Sequence, residues 1–356
     1  MKKIKLNLNL YSKTSLIIRI VISIILIALI GVVIGLREEI SRKVYNWGEA
    51  IENPDFVVHY IDVGQGDATL IEFDDGKNML IDCGPTSAAD ELVDYLNQQQ
   101  VETIDYFLIT HPDADHVGGG VHIFQQFQVK NFYRPMYASA SEANLQDYPV
   151  HETLIYDNVI NAAYAEIGSQ MFYTSTALSP IEGEKYQVNF LYPDQAYSST
   201  NASSAILQIE LDGFKFLFMG DAEIAQENKI IDEYGYSLRA DVLKVGHHGA
   251  STSTSEELLA YVSPYYAIIS VGENSYGHPS QEVISNLTKY NVNYFTTMDE
   301  GSITISIKNG ALVVGKNQGK MIDYALITVI LAMILFITWG VPDFKRKKRA
   351  SKDIKK

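Results

Sequence analysis

Four metal-capable side chains fall within the six residues His111-Pro-Asp-Ala-Asp-His116. They follow Tyr106-Phe-Leu-Ile-Thr110, an apolar run that reads as a buried strand, and precede Val117-Gly-Gly-Gly120. A fold that accepts this stretch must hold His111, Asp113, Asp115 and His116 at the end of a rigid strand. Imidazole and carboxylate are the usual nitrogen and oxygen donors for zinc or manganese, so the cluster suits a compact site for one or two ions. The glycines behind it let backbone or substrate approach closely.

The surrounding pattern predicts an α/β chain. Strands are expected over residues 56–61, 68–73 and 78–81, separated by Gly-Gln-Gly-Asp and Asp-Asp-Gly turns. Residues 88–99 have helical periodicity, 105–110 return to strand, and 117–127 read as a helix. Residues 134–185 lack a clear period and are expected to form helix and loop inserted over the site. Strands at 205–211 and 214–219 flank Asp212-Gly213, a strong hairpin signal. Helices at 223–233, 255–261 and 281–290 then alternate with strands at 241–245, 266–270 and 293–297, before closing strands at 302–307 and 311–314. Two sheets covered by helices, in four layers, satisfy this order.

Charge divides the chain. The first 19 residues carry five Lys/Arg and no acids, and residues 341–356 carry eight against Asp343 and Asp353. Removing those thirteen basic and two acidic residues from totals of 28 and 43 leaves 15 against 41, about −26, for the middle. Such a surface opposes broad capture of nucleic acid, which depends on Lys/Arg meeting phosphates, so no stable nucleic-acid binding is expected. Residues 16–36 are almost wholly aliphatic, and 324–341 form a second apolar run ahead of Lys345-Arg-Lys-Lys-Arg349. Both runs read as membrane helices, the first an uncleaved anchor, with both basic termini cytoplasmic and the acidic middle outside. The expected organisation is a basic N-terminus (1–15), an anchor (16–36), a linker (37–55), a folded α/β domain (56–316), a second membrane helix (322–341) and a basic tail (342–356). The one cysteine, Cys83, excludes an internal disulfide framework and reads as a small buried residue.

Five of the eight histidines lie in three tight motifs: His111 with His116, the pair His247-His248, and His278 in Tyr276-Gly-His-Pro279. Asp221 and His247-His248 each follow an apolar strand, and groups delivered to strand ends on one sheet edge are how α/β enzymes assemble a site. His59, His122 and His151 read as ordinary surface or core residues, and the tyrosines of 133–198 as packing.

These motifs resemble the metallo-β-lactamase superfamily, and within it the extracytoplasmic hydrolase domain of ComEC-type competence proteins. The matching segments are Tyr60-Ile-Asp-Val-Gly-Gln-Gly-Asp-Ala-Thr-Leu70, Leu80-Ile-Asp-Cys-Gly84, Thr110-His-Pro-Asp-Ala-Asp-His-Val-Gly-Gly119, Asn201-Ala-Ser-Ser-Ala-Ile-Leu207, Phe218-Met-Gly-Asp221, Leu243-Lys-Val-Gly-His-His-Gly249 and Gly277-His-Pro-Ser280. The resemblance implies an αββα four-layer sandwich, which the two apolar runs would flank as transmembrane helices, with a site for two divalent ions, zinc or manganese, on one edge. It puts His111 and Asp113 on one metal, Asp115 and His116 on the other, and Asp221 between them, with His247 or His248 completing a shell. Asp82 would orient the site, Gln65 and Asp67 would lie beside it, and His278 would face substrate as acid or oxyanion donor. Asp115 is also a candidate to hold or deprotonate the attacking water.

Two departures bear on the metal. Asp113 stands where the superfamily usually has a second histidine, a harder ligand that tilts the choice toward manganese. The third-motif histidine has no counterpart between residues 160 and 220; Asn201 lies there instead, so one of the two ion sites is expected to be weak. The expected function is a membrane-anchored, metal-dependent phosphodiesterase of nuclease type acting through a metal-bound hydroxide. An esterase acting on an envelope phosphodiester, such as a teichoic acid or choline-phosphate polymer, is the first alternative, and a non-catalytic binding or signalling protein that kept the fold is the second.

Overall fold

The computed structural model describes Ser23 and residues 53–143 and 148–317. The chain divides into two units, Met1–Asn46 with Lys320–Lys356, and Trp47–Gly319; the second contains everything discussed below. Apart from Ser23, the two apolar runs expected to span a membrane lie outside the described residues. Among the described residues no helix is long and apolar enough to cross one.

The first half of the unit contains strands β1 (Phe56–Tyr60), β2 (Thr69–Glu72), β3 (Asn78–Ile81), β4 (Thr103–Leu108), β5 (Gln128–Arg134), the short pair β6 (Ala138–Ser139) and β7 (Val150–His151), and β8 (Gln170–Tyr173). Its helices are α1 (Ala89–Gln98), α2 (Ala114–Val117), α3 (Gly120–Gln126) and α4 (Leu154–Ala165). The second half contains β9 (Ile181–Glu182), β10 (Tyr186–Tyr192), β11 (Ile206–Leu211), β12 (Phe214–Phe218), β13 (Val242–Lys244), β14 (Tyr266–Ile269), β15 (Asn293–Thr296), β16 (Ser302–Lys308) and β17 (Ala311–Asn317). Its helices are α5 (Ile224–Tyr234), α6 (Glu256–Val262), α7 (Gln281–Lys289) and α8 (Thr297–Glu300).

Two mixed sheets result, ordered β17-β16-β1-β2-β3-β4-β5-β8 and β15-β14-β13-β12-β11-β10-β9. In each, hairpin-connected antiparallel strands lead into a parallel run, β3-β4-β5-β8 in one and β12-β13-β14-β15 in the other. The reason lies in the alternation along each strand. Met79 and Ile81 enter the core between the sheets, while Leu80 enters a second core beneath the helices of the first half. Phe216 and Phe218 likewise face the central core, and Leu217 the core beneath the helices of the second half. A strand buried on both faces needs apolar residues at nearly every position, and three stacked cores make four layers, αββα.

The Asp212-Gly213 turn closes the β11–β12 hairpin, Leu211 pairing with Phe214, with both turn residues at positive φ (48° and 88°) as a two-residue loop of this kind requires. Other expectations need correction. The helix expected at 117–127 begins earlier and breaks into α2 and α3. Residues 134–185 are not simply laid over the site: β8 extends the first sheet, and α4 buries Val159 and Ile160 in the outer core. Strands β5 and β10 were not foreseen, although Tyr186, Val188 and Phe190 alternate into the central core with the period of a strand. Most of the tyrosines in this region pack: Tyr133 stacks on Phe172 and Phe190, and Tyr137 and Tyr156 are buried.

Between α2 and α3 the backbone packs against its neighbour with no room for a side chain. A Cβ on Gly118 would lie 2.3 Å from the Thr86 amide nitrogen, and one on Gly119 2.4 Å from the Cys83 carbonyl oxygen. These glycines let the α2 turn, which carries His116, settle onto the loop that carries Asp82. Gly119→Ala should therefore lower stability by about 2 kcal/mol or more, because the obstructing atom is backbone and cannot swing aside. Urea unfolding of the variant beside the parent chain measures this.

Candidate metal centre

The strand ends on one edge of the sandwich converge. Asp82 follows β3, Thr110 and His111 follow β4, Asp221 follows β12, and the turn Gly246–Gly249 follows β13. Asp82, His247 and His248 all have positive φ (57°, 48° and 51°), a conformation that non-glycine residues adopt at a cost of about 1–3 kcal/mol each. Strain of this kind persists where surrounding structure holds it, here at three residues of one cluster.

Asp221 is the hub. Its Oδ1 lies 3.2 Å from His116 Nε2, and its Oδ2 lies 3.7 Å from His111 Nε2, 3.8 Å from His247 Nε2 and 3.6 Å from His248 Nε2. Around it, His116 Nε2 and His248 Nε2 face each other at 3.3 Å, and Asp115 Oδ2 is 3.3 Å from His248 Nε2. On the other side Asp113 Oδ2 is 3.7 Å from His111 Nε2. Of the neighbouring histidines that sequence could not separate, His248 is buried inside the cluster, whereas His247 sits at its rim with Nδ1 3.6 Å from Glu223 Oε1.

The imidazoles are aimed by hydrogen bonds at their far nitrogens. Asp82 Oδ2 accepts from His116 Nδ1 at 2.8 Å and from the Thr110 hydroxyl at 2.7 Å. The Thr110 oxygen in turn lies 3.1 Å from His111 Nδ1, so with its own proton committed to Asp82 it accepts from that ring. His248 Nδ1 donates to the Ser270 carbonyl at 2.8 Å. These partners assign the Nδ1–H tautomer to each ring, and all three Nε2 lone pairs then point at Asp221.

The donor set fits metal ions. His111 Nε2, Asp221 Oδ1 and Asp67 Oδ1 are buried without a hydrogen-bond partner. Ligands about 2.0–2.1 Å from a tetrahedral ion are roughly 3.3 Å from one another, close to the spacing among His116, His248, Asp115 and Asp221. One ligand atom from each of Asp67, His116, Asp221 and His248 also falls within a 4.8 Å group. Without a cation, protons take its part. Against the effect of burial, Asp221 and Asp82 hold the His116 pKa well above its ordinary value, and Asp221 and Asp115 raise that of His248. Burial opposes the charge on Asp221, but His116, His248 and His111 outweigh it and depress its pKa strongly. In the same way, His248 and His116 overcome burial to bring Asp115 to about 2. His111 goes the other way, lowered by burial and by His116.

The remaining sequence-selected residues lie around this centre. Gln65 Oε1 accepts weakly from the Gly272 amide at 3.4 Å. Asn201 begins a short turn whose contact with the cluster comes from its neighbour, Thr200 Oγ1 donating to Asp113 Oδ2 at 3.2 Å. The His278 ring stands 5.5 Å from that of His247, at the mouth. Its loop is tied by Asn274, whose Oδ1 accepts from the amides of Tyr276, Gly277 and His278. His59 bonds Tyr95, His151 packs on Tyr137 and Tyr156, and Cys83 is buried, all outside the centre. Thr110, Asn274 and Lys244, which pairs with Asp67, were not anticipated. For Lys244 the available signal was a lysine inside the otherwise apolar run of β13.

The chain matches the family model of the metallo-β-lactamase superfamily over residues 61–170, and the αββα fold with its buried His/Asp centre agrees with that match. It is also distantly homologous to competence proteins of the ComEC family. ComE operon protein 3 of Bacillus subtilis (strain 168) is 29% identical over 272 residues, covering 71% of this chain and 33% of that protein. Competence protein ComA of Neisseria gonorrhoeae is 27% identical over 268 residues, covering 74% and 34%. The chain thus spans about a third of the length of these relatives. Among solved structures, that of Tm1679, a metal-dependent hydrolase of the β-lactamase superfamily, superposes with a TM-score of 0.45 at 10% identity, over 70% of this chain and 99% of that one.

Two outcomes test the centre. Asp82→Asn should weaken manganese or zinc binding about 10- to 100-fold, since it releases both His116 and the Thr110–His111 link; titration calorimetry reads the change. The raised pKa values mean that His116 and His248 still hold protons above the ordinary histidine value of 6.5, so an entering ion must displace them. Affinity should rise from pH 6 to pH 8, with proton release visible as a buffer-dependent heat. In the metal-free chain the signs are opposite for the two partners. The stabilisation from His116 is complete below 6.5 and fades as pH rises through its raised value, while that from Asp221 is present above 3.8 and fades as pH falls through its lowered one.

Proposed function

We propose that this chain is a membrane-anchored, outward-facing phosphodiesterase. The observation that carries the reading is the convergence of four imidazole Nε2 atoms on one buried carboxylate, Asp221, with Asp113 and Asp115 on either side. His111, Asp113, Asp221 and His247 would hold one ion, and Asp115, His116, Asp221 and His248 a second. Bound ions would supply a water acidic enough to attack near neutral pH and positive charge for the phosphoryl oxygens.

The chain's own residues do the rest. Asp82, Thr110 and the Ser270 carbonyl keep the imidazoles from turning away. Burial and the neighbouring His247 and His248 hold the His278 pKa below its ordinary value, so the ring is neutral at pH 7 and has one N–H to offer the leaving oxygen. Asn274 keeps that ring at the mouth. Two apolar runs with basic outer flanks support attachment to a membrane with both termini inside. The homology to competence proteins makes nucleic acid the first substrate to try. The acidic surroundings argue against tight holding of a long polyanion and keep an envelope phosphodiester as the second.

The test uses the full-length chain in detergent, stripped of metal, reloaded with manganese or zinc, and given bis(p-nitrophenyl) phosphate. Metal-dependent turnover that falls about 1,000-fold or more in Asp221→Ala, the shared ligand, is expected. Bound metal without turnover would refute the phosphodiester substrate class, and absence of bound metal would refute the hydrolase reading altogether. Short oligonucleotides and a choline-phosphate polymer, compared in the same assay, separate the two substrate classes.

A further inference from the structure

Lys244 has no place in the reading so far, yet it is one of the most unusual side chains of the molecule. It sits on β13 and is 3% exposed. Its ammonium donates to Asp67 Oδ2 at 2.9 Å and to the Val245 carbonyl at 3.2 Å, and lies 2.8 Å from Asp67 Oδ1. A lysine is rarely buried unless it is paired, and here the pair is isolated from solvent on both sides, Asp67 being 4% exposed.

Asp67 is also a member of the donor group. One of its oxygens lies within 4.8 Å of ligand atoms of His116, Asp221 and His248, and Oδ1 lacks a hydrogen-bond donor, the Lys244 approach to it being an ion pair without hydrogen-bond geometry. Its backbone is stitched into the same centre: the Asp67 amide donates to the Asp115 carbonyl at 3.1 Å, and the Asp67 carbonyl accepts from Gly84 at 2.8 Å. The carboxylate is therefore carried by the loop that the metal-binding turn rests on.

We propose that Lys244 is a positioning residue that acts as a built-in counter-cation: it engages Asp67 and keeps that carboxylate out of the coordination sphere, leaving Asp113, Asp115 and Asp221 as the anionic ligands. The arrangement limits the negative charge available to the ions, so the centre holds them less tightly than its donors allow and leaves room for water and substrate. This inference rests on the metal-dependent reading above.

The experiment measures manganese affinity by titration calorimetry, and melting temperature with and without manganese, for the full-length parent chain and for Lys244→Met, Asp67→Asn and the double variant. Lys244→Met, which keeps an unbranched apolar stem, should melt lower than the parent without metal, because Asp67 is left buried and unpaired. With manganese it should recover, and it should bind the ion at least ~10-fold more tightly as the freed carboxylate becomes a ligand. Asp67→Asn should bind at least ~10-fold more weakly, its lysine now an uncompensated cation beside the site. Adding Asp67→Asn to Lys244→Met should abolish the gain.

A purely structural lysine would lower the melting temperature with and without manganese alike and would not tighten binding. Lys244→Met binding no more tightly than the parent would overturn the proposal, as would a gain that survives in the double variant. Should Lys244→Met fail to fold even with manganese, Asp67→Asn decides: parent-like affinity there refutes the role. A parent chain that binds no manganese or zinc would instead refute the hydrolase reading itself, so the two failures are distinguishable.

Discussion

The centre depends on holding like groups against one another. Four imidazole nitrogens and the Asp113, Asp115 and Asp67 carboxylates crowd around Asp221, and His111 Nε2, Asp221 Oδ1 and Asp67 Oδ1 are buried there without a hydrogen-bond partner. Buried polar atoms without partners cost about 1–3 kcal/mol each, more when charged, so such a cluster opposes folding unless protons or cations compensate it. The rest of the domain supplies what opposes that cost: three apolar cores, and strands covered on both faces, so that the loops at their ends are anchored in rigid elements.

Asp82 is the second constraint. It reaches His116 directly and His111 through Thr110, and it does so from a left-handed backbone conformation that the close contact of the α2–α3 glycines with residues 83–86 helps to hold. One carboxylate thus sets the orientation of two imidazole rings from the side away from Asp221. The glycines that looked suited to close approach by backbone or substrate serve the backbone: at Gly118 and Gly119 the neighbouring atoms are those of the Asp82 loop.

Much of this was legible in the chain. The metal-capable residues were identifiable because they fall in dense motifs at the ends of apolar runs, where a strand delivers side chains to one edge. The four layers followed from strand and helix periodicities, and the Asp212-Gly213 hairpin from turn chemistry. Residues 128–185 were harder, because several of their strands are short and polar positions interrupt others, as in Gln128–Arg134 with its Lys130, Asn131 and Arg134. Arg134 is fully buried there against Glu142, an arrangement that no local pattern predicts.

The amino-acid sequence by itself determined the fold class and the choice of candidate donors, since both rest on local pattern: periodicity for the layers, residue type and spacing for the metal-capable side chains. Tertiary structure alone decided which donors meet. It buried His248 within the cluster and left its neighbour His247 at the rim, a distinction set by two successive left-handed residues in one turn. It also joined Thr110 to Asp82 and Lys244 to Asp67, pairs 28 and 177 residues apart. The first pairing depends on the register of the adjacent strands β3 and β4, the second on how the two sheets pack together, and no local stretch of sequence contains that information.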